Sequence, residues 1–197
     1  MSPSPAATIH ADAASVITMP GVIEVIGACG SLALLGICAG LGAGEVALAA
    51  RAVPAGLLVA AGSVVLTGPA LVVAHQYQGL QADPQQLVSA LSRGFVTCGE
   101  IALGLSPILL FFSATSGLWA ALYSLFVAGA GAFGGAVTAR QLLRAEAAAR
   151  PAGAELTDHA DLTARAGMGG LVLAWSTLAA LIALRIGWGM AAFVAGS

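Results

Sequence analysis

The chain has 197 residues and a formal net charge of −2; 59% of its residues are hydrophobic and only 8% are charged. Soluble domains carry roughly a quarter charged residues, so this chain has too little charge to cover itself with a wetted surface, a requirement that the lipid bilayer removes. All 7 basic residues are arginine and they form no clustered basic face, which excludes nucleic acid as a partner.

The opening stretch, MSPSPAATIHADAASVITMP, has no arginine or lysine. A secretory leader needs a positive start, so the expectation for residues 1–19 is a cytoplasmic tail. Five apolar runs then follow at 21–43, 53–74, 94–112, 118–139 and 166–188. Each approaches the ~20 residues that span hydrocarbon. They are continuous in Ala, Leu and Gly, without the alternation of a membrane barrel, and only helices satisfy the backbone of such runs in lipid. The expected fold class is all-α: a polytopic helical membrane bundle of about five transmembrane helices over residues 20–197, with a cytoplasmic loop at 140–165.

In the first span, Glu24 enters the membrane about one turn past the start. It reads as an interfacial carboxylate within reach of Arg93 and Arg165. Gly36, Gly40 and Gly44 stand four apart, as Gly131 and Gly135 do in the fourth span, a spacing that lets helix backbones approach closely in lipid. Thr67-Gly68-Pro69 predicts a bend in the second helix, and His75-Gln76-Tyr77-Gln78 reads as an interfacial anchor after it. The third helix is predicted to begin early, at Asp83-Pro84-Gln85-Gln86: a capping aspartate, a proline at the first helical position and a glutamine three residues after the cap. From Pro84 to Phe112 it would run about 43 Å against ~30 Å of hydrocarbon, so its first two turns stand in the cytoplasm. Pro107 should bend it. Ser113, Thr115 and Ser116 read as helix caps in a tight outer turn.

The fourth helix should project inward through Arg140, Arg144 and Arg150, with Glu146 and Arg150 paired at i, i+4, until Pro151 and Gly153 end it. An acidic polar linker occupies 154–161. Arg93, Arg140, Arg144, Arg150 and Arg165 fall on one side, Arg51 and Arg185 on the other; the positive-inside tendency puts the N-terminus in the cytoplasm and the C-terminus outside. On that outer side Glu45, Arg51 and Arg185 are expected to associate.

Glu100 is the most expensive residue, since a charged carboxylate at the centre of a span costs roughly 2.5–3.5 kcal/mol on insertion scales. It is expected to be neutral, or held by Arg93 or by a hydroxyl on a neighbouring helix. Glu100, Arg93 and Glu24 are therefore the candidate intramembrane polar site. Cys29, Cys38 and Cys98 are odd in number and lack CxxC spacing, so buried inert thiols are expected rather than a disulfide framework or metal site. No phosphate loop, dinucleotide fingerprint or metalloprotease motif occurs, so no cofactor and no catalytic residue is expected.

The stretch Leu105-Ser-Pro-Ile-Leu-Leu-Phe-Phe-Ser113-Ala-Thr115-Ser, the glycine-rich helix after it, Arg140-Gln-Leu-Leu-Arg144, Thr67-Gly-Pro69-Ala-Leu and Leu184-Arg185-Ile-Gly-Trp188-Gly resemble a group of uncharacterised bacterial five-helix membrane proteins. That group is similar in layout to the Yip-domain membrane proteins. The resemblance covers about residues 30–190, and departs from the group's pattern where Ala and Gly replace bulkier residues in helix four. It implies a cytoplasmic N-terminus, five helices and a role in membrane organisation or trafficking, and carries over no catalytic residue. The expected function is a non-catalytic accessory or scaffold subunit in a bacterial inner membrane, packed with a membrane-protein partner or with copies of itself. The alternative is a small transporter or channel built on Glu100; an intramembrane enzyme ranks third. A transporter would line a polar path to Glu100 with Glu24, Thr67 or Ser106. A scaffold would have a dry core, a locally satisfied Glu100 and glycine faces turned outward.

Overall fold

The computed structural model describes the backbone of residues 19–149 and 158–195, and side chains over 19–149 and 166–186. Five helices follow in order: α1 Val22–Gly42, α2 Val46–Tyr77, α3 Pro84–Ser116, α4 Trp119–Ala149 and α5 Asp158–Ala195. All five are long and apolar enough to cross a membrane, and no strand occurs among the described residues. The chain is an all-α bundle with the makings of a multi-pass membrane protein. The expected tail lies outside the described residues save for Met19, as do Arg150 and the linker up to residue 157.

Local chemistry explains the ends. Gly21 N donates to Glu24 Oε2 at 2.9 Å, so Glu24 closes the first turn of α1. The turns after α1 and α3 rest on Gly44 (φ 77°) and Gly117 (φ 64°), where a side chain would be strained. α3 begins at Pro84 with Asp83 as cap, its Oδ1 accepting from Gln85 N at 2.7 Å. α2 runs unbroken through Pro54 and Pro69, and α3 through Pro107. Neither expected bend site ends a helix.

The crossings set the register. α1 and α2 are antiparallel and close: a methyl at Gly36 would come within 2.8 Å of Val53 N, and one at Gly40 would strike Ala49. α1 and α3 run parallel, with Gly99 against Ala28 and Gly42 against Ser113, both approaches 2.5 Å from a built Cβ. α3 and α4 cross at Gly94 and Gly134, where a methyl on Gly134 would reach Gly94 O at 2.5 Å. α2 and α4 also run parallel: Tyr123 OH donates to Ala52 O at 2.7 Å, and His75 meets Glu146, each pair 71 residues apart. The α3–α4 hairpin thus lies beside the α1–α2 hairpin in the same sense. α5 packs mainly on α2, with Ile186 beside Gly62 and Gly167 beside Gln78.

α1 is 21 residues long, about 31 Å, and matches the hydrocarbon thickness. Its register against α3 places Gly21 level with Ser92, so residues 84–92 of α3 extend about 12–14 Å past the start of α1. α4 past Arg140 and the end of α2 project on the same side. Two apolar clusters follow from this layout. One, around Leu32, Leu35, Phe95 and Tyr123, fills the span. The other, around Leu71, Leu87, Leu142, Met168 and Trp175, fills the projecting end.

Candidate functional site

The projecting end holds a buried polar centre. Glu146 lies on α4 at the end of a stripe of buried residues, Ala130, Gly134, Thr138, Leu142 and Ala145, whose three- and four-residue steps keep one helix face inward. Glu146 is 3% exposed and His75, in the last turn of α2, 1% exposed. His75 Nε2 lies 3.3 Å from Glu146 Oε2. The loop between α2 and α3, turned by Gly79 at φ 66°, brings two backbone donors to the same carboxylate. Gln81 N donates to both oxygens at 3.1 Å and Ala82 N to Oε2 at 3.0 Å. Three chain segments therefore converge on one carboxylate, surrounded by the Leu71–Leu87–Leu142 cluster.

This arrangement corrects the sequence reading at two residues. Glu146 reads in the sequence as an i, i+4 partner of Arg150, which lies outside the described residues, and His75 as an interfacial anchor; both are buried against each other. The continuing stripe on α4 is the signal in the sequence that points Glu146 inward. A buried carboxylate with two backbone N–H donors and an imidazole is a lock between α2, α4 and the loop that precedes α3.

Glu100 is placed where no reading put it. It is exposed on α3, one residue after the Gly99–Ala28 contact, and forms no hydrogen bond or ion pair with any described residue. The expected pairing with Arg93 is absent: the two share a helix face but stand seven residues, about 10 Å, apart along α3, while Gly99 packs on α1 and Glu100 is turned out of the bundle. Arg93 is half-buried and has an interaction of its own. Glu24 is exposed at the end of α1 and serves its own helix. The three residues of the candidate polar site are thus not brought together.

The glycines divide. Gly36 and Gly40 lie at the α1–α2 contact, while Gly44 forms the turn. Around Gly131 and Gly135 there is open space, and the α3–α4 approach uses Gly134 and Gly94 instead. Arg185 does not join Glu45. The antiparallel α2–α5 contact puts Ile186 beside Gly62, about 24 Å along α2 from its start at Val46. Arg185 is exposed and unpaired among the described residues.

Three buried hydroxyls close on nearby backbone, whereas Ser113 Oγ and Trp175 Nε1 are buried without a hydrogen-bond partner among the described residues. Thr67 Oγ1 donates to Ser63 O at 2.7 Å, Ser106 Oγ to Ala102 O at 2.8 Å and Thr138 Oγ1 to Gly134 O at 3.0 Å. Cys38 and Cys98 are buried, Cys29 is half-buried, and all three are free. Among the described residues no group of His, Cys, Asp and Glu could hold a metal ion.

Comparison with family models, curated proteins and solved structures finds no match. The site must speak through its own chemistry.

Proposed function

We propose that the chain is a non-catalytic accessory or scaffold subunit that organises a membrane or a larger membrane complex. We further place it in a bacterial cytoplasmic membrane with its N-terminus inside, in the manner of the Yip-like layout that its sequence resembles. The observation that carries this reading is where polarity sits. Thr67, Ser106 and Thr138 are buried and closed on their own helices and Tyr123 on the α2 backbone, while the open-sided Gly104 and Gly131 face outward; Glu100, which a scaffold was expected to satisfy locally, is instead exposed without a partner among the described residues. Small residues in that setting suit helix association in lipid. Of the residues that would line a path to Glu100, Thr67 and Ser106 are buried and self-satisfied, and Glu24 is at a helix end.

The orientation rests on Arg93, Arg140 and Arg144 gathering where α1 begins, with Arg51 towards the opposite end. Purification in mild detergent tests the function. A membrane protein in stoichiometric amount, or further copies of the chain, should co-purify. Proton or ion flux in proteoliposomes that disappears in Glu100→Gln would overturn the reading in favour of a transporter.

A further inference from the structure

Two opposite charges open onto lipid at one depth. Gly36 packs at Val53 and Gly40 at Ala49, so the antiparallel register carries Gly62 down to the level of Gly27. Gly27 precedes Ala28, which packs on Gly99, the neighbour of Glu100. Ile186 meets Gly62. Arg185 and Glu100 therefore stand within about one helical turn, ~5 Å, of the same level, inside the slab that α1 defines. Both are exposed, and neither has a partner among the described residues. They do not meet within one chain: among the described residues α5 packs on α2, its backbone stays clear of that of α3, and no ion pair joins the two side chains.

We propose that Glu100 of one copy pairs with Arg185 of a second copy, so that this ion pair inside the membrane joins copies of the chain. The inference rests on the scaffold reading and names the partner as another copy. Hydrocarbon penalises either charge alone, and a carboxylate–guanidinium pair at matched depth satisfies both with bidentate hydrogen bonds. The surfaces around the charges suit close contact. Gly104, one turn beyond Glu100, has open space where a side chain would be, and Leu181 and Leu184 beside Arg185 are 58% and 67% exposed. A dimer that forms the pair twice and a larger closed ring both leave no charge unmatched.

The test is charge exchange, read as the mass of particles released from lipid nanodiscs. The parent should run at a multiple of 19.3 kDa. Glu100→Arg and Arg185→Glu should each lower the assembled fraction at least tenfold, and the double variant should restore it. Far-ultraviolet circular dichroism confirms that each variant is helical. Should a single variant fail to fold, differently tagged Glu100→Cys and Arg185→Cys proteins mixed in one membrane should form a disulfide between the two tags. A parent of single-chain mass, a double variant no better than the singles, or no cross-link between the tags would overturn the pairing. A single-chain parent that still co-purifies with another membrane protein overturns the pairing and leaves the accessory role standing. Glu100-dependent ion flux instead removes the accessory role itself.

Discussion

Replacing Glu146 by alanine removes the acceptor on which three segments of the chain converge. The variant strands Ala82 N–H, in a residue 5% exposed, and leaves His75, 1% exposed, without its partner. Gln81 N–H, which reaches both carboxylate oxygens, loses its acceptor as well. Each stranded buried group costs about 1–3 kcal/mol, and breaking a buried pair from one side costs about 3–5 kcal/mol. We expect Glu146→Ala to lose about 3–5 kcal/mol. At about 2–4 °C per kcal/mol for a domain of this size, Tm in detergent should fall by roughly 6–20 °C. Glu146→Gln keeps a carbonyl oxygen for the loop and should lose less, about 1–2 kcal/mol. Thermal unfolding followed by the fluorescence of the 3 tryptophans measures both. An alanine variant within about 2 °C of the parent, or a glutamine variant as damaged as the alanine one, would refute the lock.

Gly134→Ala places a methyl 2.5 Å from Gly94 O and should destabilise by about 1–3 kcal/mol, whereas Gly131→Ala, which meets open space, should stay within ±0.5 kcal/mol in the same assay. Tyr123→Phe loses the 2.7 Å bond to Ala52 O and should cost about 0.5–1.5 kcal/mol, because Tyr123 is buried between α4 and α2. For orientation, a cysteine at Ser116 should react with a membrane-impermeant maleimide on intact cells. A cysteine at Gln76 should react only after permeabilisation, and the reverse pattern would invert the topology.

The sequence by itself determined the five helices and the fold class, because hydropathy over some twenty residues is a local sum that needs no partner. The Asp83–Pro84 start of α3 was legible for the same reason: a cap is made by neighbours in the chain. Side-chain direction was not legible at the positions that matter most. Glu100 and Gly99 are adjacent in sequence, yet the latter packs on Ala28 and the former is exposed on the outside of the bundle. Hydropathy is high on all sides of a membrane helix, so it does not tell the interior face from the lipid face. Glu146 and His75 are 71 residues apart, as are Tyr123 and Ala52, and no local pattern links such pairs. Only the parallel packing of α2 with α4 brought them together. The depth of Arg185 was likewise decided by α5 docking on α2, since an apolar run longer than the membrane can slide along its normal until a neighbouring helix holds it.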